Sequence, residues 1–79
     1  MEESEGALPL FYLEEGSRAI LVDILAGRGL RERLLQMGLI PGTNIEVVKK
    51  MPGMIVIRFR GTIISLSKGI AMKIIVSKR

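Results

Sequence analysis

The chain has no cysteine and no histidine. The first absence excludes disulfide bonds, thiolate metal sites and cysteine nucleophiles. The second removes the commonest metal ligand and the commonest general base, so we expect neither an enzyme nor a bound cofactor. Aromatic side chains are also scarce, with two Phe, one Tyr and no Trp. Few surfaces are therefore available for stacking against nucleic-acid bases.

Long hydrophobic runs are missing as well. The longest uncharged apolar stretch covers residues 7–13 and is interrupted by Pro9. It is far shorter than the roughly 18 residues that a membrane-spanning helix requires. The N-terminal residues are acidic, whereas a secretory signal begins with basic residues. We therefore expect a cytoplasmic protein that is peripheral to a membrane at most.

Charge is distributed unevenly along the chain. Five of the eight acidic residues lie within the first fifteen positions, whereas all twelve Lys and Arg lie from Arg18 onward. We interpret residues 1–9 as a flexible acidic leader and residues 10–79 as one basic domain. A basic surface favours nucleic acid, an anionic membrane face or an acidic protein as its partner.

The pattern of hydrophobic residues predicts a mainly β fold. Alternating residues and intervening turns indicate five short strands, at 18–25, 43–50, 55–60, 63–67 and 73–77. Single helical turns are expected near residues 10–13 and 68–72. Short strands joined by tight turns favour closure of the sheet, which removes exposed edges. At this length we predict an SH3-like small barrel of about five strands with one short inserted α-helix.

The inserted helix belongs to the most constrained part of the sequence, residues 27–43. Hydrophobic residues at helical spacing predict a helix over residues 30–37. Gly38 stands where a left-handed C-terminal cap is needed, and Leu39 beyond it can fold back on the last turn. Pro41-Gly42 fits the centre of a type II turn, because Pro fixes φ and Gly tolerates a positive φ.

This segment closely resembles the central motif of the FeoA family, small partners of bacterial ferrous-iron uptake. The resemblance extends over roughly residues 10–77 and is most specific in the pattern Gly29-Leu30-Arg31-x-Arg33-Leu34-x-x-Met37-Gly38-Leu39-x-Pro41-Gly42. Three features depart from the family pattern: Ala26-Gly27 replaces two glycines, the turn at Pro52-Gly53 is short, and Ser67 stands where a basic residue is common.

The resemblance implies a function. It points to an accessory protein that binds FeoB, the membrane Fe(II) transporter with a cytoplasmic GTPase region, and promotes or regulates ferrous iron uptake. The fold is also similar to the C-terminal module of iron-dependent repressors. An alternative function therefore stays open, namely a regulatory module associated with nucleic acid or with iron-dependent transcription control.

Five residues of the motif are candidates for partner binding. Arg28, Arg31 and Arg33 lie on or beside the predicted helix and could meet acidic groups on a partner. Met37 and Leu39 could form an apolar rim, where the flexible thioether of Met adapts to a partner's shape. The alternatives are a solvated face for the arginines and packing on its own helix for Leu39.

Other candidate sites are weaker. Lys49, Lys50, Arg58 and Arg60 are expected to form one basic patch across neighbouring strands. We expect no nucleic-acid partner, because no aromatic residue is predicted beside exposed basic residues on a strand. The carboxylates show no metal-binding spacing, and methionine is a poor ligand for Fe(II), so no metal site is expected. Exposed strand edges and a small core leave self-association open.

Overall fold

The computed structural model describes residues 6–79. Six strands and two α-helices follow one another along the chain, with one 3-10 turn between the first two strands: β1 (Ala7–Pro9), the 3-10 turn (Leu10–Tyr12), β2 (Arg18–Ile24), α1 (Arg28–Gln36), β3 (Asn44–Met51), β4 (Met54–Phe59), β5 (Thr62–Ser67), α2 (Lys68–Ala71) and β6 (Ile74–Lys78). The predicted mainly β, SH3-like fold with a short inserted helix is confirmed.

The strands form one antiparallel sheet in the order β1-β6-β2-β3-β4-β5. Consecutive hairpins join β3, β4 and β5, while β6 returns across the molecule to lie between β1 and β2. One face of the sheet supplies most of the hydrophobic core. The buried apolar residues are Leu10, Leu13, Ala19, Leu21, Ile24, Leu34, Leu39, Ile45, Val47, Ile55, Ile57, Phe59, Leu66, Ala71, Ile74 and Val76.

The first strand differs from the sequence expectation. The charge pattern predicts that residues 7–9 belong to the flexible leader, yet Ala7 pairs with Ser77 and Pro9 with Ile75 in the ladder between β1 and β6. Proline is tolerated there because β1 is an edge strand. A strand of three residues is too short to show an alternating pattern. The remainder of the predicted leader, residues 1–5, lies outside the described residues.

A bulge in β2 changes which side chains face the core. The strict alternation predicted for this strand places Val22 and Ile24 on one face and Leu21 on the other. In the structure Leu21 and Ile24 are both buried, whereas Val22 is exposed. The pairing with β6 shifts register between Leu21 and Asp23. An extra residue in one strand has this effect, because side chains beyond it point to the opposite face.

The end of α1 confirms the predicted cap and turn. The helix is displaced by one or two residues from the predicted 30–37. Gly38 has a φ of 104°, and the amide of Leu39 donates to the carbonyl of Leu34 at 3.0 Å. The amide of Thr43 donates to Ile40 at 3.0 Å across the Pro-Gly turn, where Gly42 has a φ of 96°. The chain therefore reverses from helix to strand within a few residues.

One side chain fixes the start of α1 to the sheet. The Arg31 guanidinium donates to the backbone carbonyl of Ile24 at the end of β2. It also lies 3.5 Å from a carboxylate oxygen of Asp23, and that oxygen accepts the amide of Ile24 at 2.7 Å. A charged donor makes such contacts stronger than neutral ones. Arg31 thus acts as an anchor within the protein.

Both helices are short. The helix α1 has nine residues and α2 has four. The side chain of Ser67 caps α2 by accepting from the amide of Ile70 at 3.4 Å, and Ala71 is fully buried. Between residues 6 and 79, no helix has the length and apolar character needed to cross a membrane.

Two glycines of the helical segment should respond in opposite ways to alanine. Gly38→Ala is expected to destabilise the protein by about 1–2 kcal/mol, because a Cβ disfavours the left-handed conformation. Its Cβ would be 3.6 Å from Phe59 and Arg60, so the cost comes from the backbone rather than from a clash. Gly29→Ala, in open space within α1, should stabilise by about 0.5 kcal/mol. Urea denaturation measures both; equal midpoints would contradict the assigned cap.

Removal of the Arg31 anchor should loosen α1. We expect Arg31→Met to lower the free energy of unfolding by at most about 1 kcal/mol, since the side chain is partly exposed. Amide hydrogens of α1 should exchange faster, while those of β4 keep their relative protection. Arg28→Met is the matched control, because that exposed arginine stands at the helix N-terminus. Unchanged exchange in Arg31→Met would show that the anchor contributes nothing.

Candidate functional site

An apolar groove separates α1 from the edge strand β5. It has a volume of about 350 Å³ and is lined on the helix side by Leu30, Arg33, Leu34 and Met37. The opposite wall consists of β5 and α2 residues: Ile64, Ser65, Leu66 and Ile70. Because Leu34 and Leu66 are buried in the core, they form the floor of the groove.

The groove lies beside an open sheet edge. Within residues 6–79, β5 pairs only with β4, so no strand of the described chain pairs with the backbone groups on its other side. Met37 is 44% exposed on the helix, and Ile63 of β5 is 55% exposed. Edge strands with exposed hydrophobic side chains are templates for pairing with another chain. This arrangement can bind an extended peptide or an apolar helix.

Two of the five predicted partner-binding residues line the groove. Arg33 and Met37 both belong to the helix side of its lining. Arg28 is exposed at the first position of α1 but outside the lining. Arg31 is engaged by Asp23 and by the end of β2.

The prediction that Leu39 offers an apolar rim does not agree with the structure. Leu39 is completely buried. The left-handed turn at Gly38 directs the chain back under the helix, and the Leu39 amide bonds to Leu34. Its side chain therefore belongs to the core, in agreement with the alternative that the sequence also allows.

Sequence reasoning missed the wall opposite the helix. Ile64 and Ile70 belong to elements far from α1 in the sequence, and only the tertiary fold brings them together. One feature of the sequence could have indicated an apolar surface on the outside of β5. Two adjacent isoleucines, Ile63 and Ile64, interrupt the alternation expected of a half-buried strand. The consequence is one isoleucine on each face of β5.

The predicted basic patch divides into two parts. Arg58 and Arg60 line a second concave surface together with Arg18 and Arg79, and the two lysines are absent from it. In the ladder between β3 and β4, Lys49 lies opposite Val56 and Lys50 opposite Ile55. A register shift between Val47 and Lys49 separates both lysines from the part of the ladder that contains Arg58.

One aromatic residue lies beside two basic side chains, a half-buried lysine on β3 and an exposed lysine on α2. The ammonium nitrogen of Lys50 is 4.8 Å from the centre of the Phe11 ring, and that of Lys68 is 5.7 Å away. Such contacts between a cation and an aromatic face are attractive. These residues are distant in sequence, which concealed their proximity. Within the part of the chain that the structure describes, no group of three or more carboxylates is placed to hold a metal.

Comparison with known proteins agrees with this fold. The model of the FeoA domain family matches residues 8–78. A Methanocaldococcus jannaschii protein named "Putative Fe(2+) transport protein A" is 37% identical over 68 residues, which cover 86% of this chain and 83% of that protein.

Solved structures with a similar fold include proteins of the same kind. A crystal structure of an iron uptake regulatory protein (FeoA) superposes with a TM-score of 0.85 at 36% identity, covering 92% of this chain and 99% of the other. A manganese-dependent transcriptional repressor has a TM-score of 0.85 at 18% identity, covering 92% of this chain and 42% of the repressor. The second likeness shows the fold alone. From the match across residues 8–78 and the level of identity, the chain belongs to the FeoA family.

Proposed function

We propose that this chain is a small cytoplasmic accessory protein that binds an FeoB-type transporter and promotes or regulates ferrous iron uptake. The apolar groove between α1 and β5 is the observation that carries the proposal. Membership of a family with relatives named for Fe(2+) transport supports the process in which it takes part. Its contribution is binding rather than catalysis.

The groove suits a protein partner for three reasons. Its walls are apolar, and the thioether of Met37 can adjust to a partner's side chain. The open edge of β5 can add a strand from the partner by backbone hydrogen bonds. Arg28 and Arg33 give the helix side a positive charge, which accelerates encounter with an acidic surface.

These features give a concrete mode of docking. A segment of the transporter's cytoplasmic part lies along β5 and places one hydrophobic side chain in the groove. The alternative function, a module associated with nucleic acid, is supported only by the similarity of the fold to a repressor at 18% identity. No feature of the groove favours it.

A change to the groove should weaken the complex. We expect Met37→Gln to lower the affinity for a detergent-solubilised FeoB-type transporter about fivefold, because it places an amide in an apolar contact. Biolayer interferometry measures the affinity. Met54→Gln is the matched control, since Met54 is 39% exposed and lies at the β3–β4 hairpin outside the groove. Equal losses in both variants would contradict docking at the groove.

The arginines should act on the rate of association. We expect Arg28→Glu combined with Arg33→Glu to slow association at low salt, with a smaller difference at high salt, because screening removes long-range attraction. Arg31 is left intact so that α1 keeps its anchor to β2. Stopped-flow measurements at two salt concentrations check this, and an unchanged rate at low salt would remove the arginines from the docking surface.

A further inference from the structure

Four arginines surround a cavity at one end of the barrel. The cavity has a volume of about 600 Å³ and its charged lining consists of Arg18, Arg58, Arg60, Arg79 and Glu46. Four positive side chains against one negative give a formal side-chain charge of +3. We call this site the arginine cavity.

Strand register explains why these residues meet. Arg18 lies opposite Glu46 in the ladder between β2 and β3, and Glu46 lies opposite Arg58 in the next ladder. On the other side, the amide of Arg79 donates to the carbonyl of Arg18 at 2.9 Å. The four residues therefore form a row across adjacent strands, and Arg60 extends from the turn after β4.

Two of the guanidinium groups are held in place. Arg58 bonds to the Glu46 carboxylate at 2.8 Å, and Arg79 donates to the side-chain oxygen of Asn44 at 2.6 Å. Within residues 6–79, Arg18 and Arg60 have no carboxylate partner within salt-bridge distance. The site thus combines two oriented guanidinium groups with two that no carboxylate of residues 6–79 engages. The planar fork of a guanidinium matches two oxygens of a phosphate group.

The backbone at Arg60 is a second, independent observation. Its φ is 51°, and it is the one non-glycine residue between positions 6 and 79 with a positive φ. Gly61 follows with a φ of 75°, so both central residues of this two-residue hairpin loop are left-handed. Such loops strongly prefer Asn-Gly. An arginine in a left-handed position that would strain asparagine less points to a use for its side chain.

The size and charge of the site select a class of ligand. A single phosphate would occupy a small part of about 600 Å³ and meet few of the four arginines. A nucleic-acid strand would need aromatic surfaces for its bases, whereas the aromatic residue of the lining, Phe59, is 2% exposed. A chain of linked phosphates satisfies several guanidinium groups at once and relieves their mutual repulsion.

We propose that the arginine cavity binds the di- or triphosphate group of a small molecule. The groove between α1 and β5 has other lining residues, so this inference is independent of the proposed transporter binding. A free polyphosphate and a nucleoside triphosphate present the same chemistry to the arginines, and the experiment separates them.

The test is isothermal titration calorimetry of the whole chain at low ionic strength with inorganic tripolyphosphate, ATP and inorganic phosphate as probes. We expect tripolyphosphate to bind at least about tenfold more tightly than phosphate, with an affinity that falls as salt is added. Tighter binding of ATP than of tripolyphosphate assigns a nucleotide as the ligand, whereas equal binding assigns the phosphate chain alone. Absence of binding by both would overturn the proposal.

Variants locate the binding. Arg18→Gln and Arg60→Asn should each weaken tripolyphosphate binding about fivefold, because each removes a charge-assisted donor. Arg60→Asn suits the left-handed loop and so keeps the fold. Lys73→Gln is the control for net charge, since that exposed lysine lies outside the cavity. An equal loss of tripolyphosphate affinity in Lys73→Gln would show that overall charge explains the effect, and it would overturn the proposed site.

Two further measurements identify the binding surface and the kind of anion that it prefers. Titration with tripolyphosphate followed by ¹⁵N chemical shifts should perturb the amides of Ala19, Ile45 and Gly61 before those of α1. A glutamate-rich peptide of equal charge serves as a competitor, and its tighter binding at the same amides would assign the cavity to an acidic protein segment and contradict the proposal.

Discussion

The chain reversal at Gly38 is the constraint on which the other features depend. Its left-handed conformation returns the chain under α1 and places Leu39 in the core. The hydroxyl of Thr43 then donates to the Gly38 carbonyl at 3.2 Å, and the Thr43 carbonyl accepts the amide of Leu21 at 2.9 Å. The reversal thus fixes the helix to β2 and β3, and the position of the helix creates the groove beside β5. Without the cap, the C-terminal end of α1 would lose this connection to the sheet, and Arg31 would hold only its start.

The two edge strands of the sheet differ in length and in composition. At one edge, β1 is three residues long and contains Pro9, which limits pairing with another chain. At the other, β5 has six residues, no proline and an exposed Ile63. This asymmetry separates a protected edge from one that is open to a partner. It supports the proposed docking of a transporter at β5, with α1 as the second wall. Self-association, if it occurs through an open edge, would use the same surface.

Sequence patterns predicted those parts of the fold in which local chemistry decides the conformation. The cap at Gly38 and the strand predicted at 55–60, which the structure has as Met54–Phe59, are of this kind, because one residue type or one short alternation specifies them. The bulge at Val22 was missed, since a register shift is set by the neighbouring strand. Of the candidate site, Arg33 and Met37 were found from helical spacing. The opposite wall and the arginine cavity depend on pairing between distant segments, which a single sequence does not reveal.

The pairing of Arg79 with Arg18 has a consequence for the order of folding. The hairpins from β3 to β5 join neighbouring segments and close short loops, whereas the ladder between β2 and β6 joins residues near opposite ends of the chain. We expect contacts between such distant residues to form late, because a long loop must close first. The arginine cavity includes residues from both sides of this closure, so it exists only once β6 has paired with β2. An anion bound there would favour forms in which β2 and β6 are paired over forms in which they are separated, and would slow the release of β6.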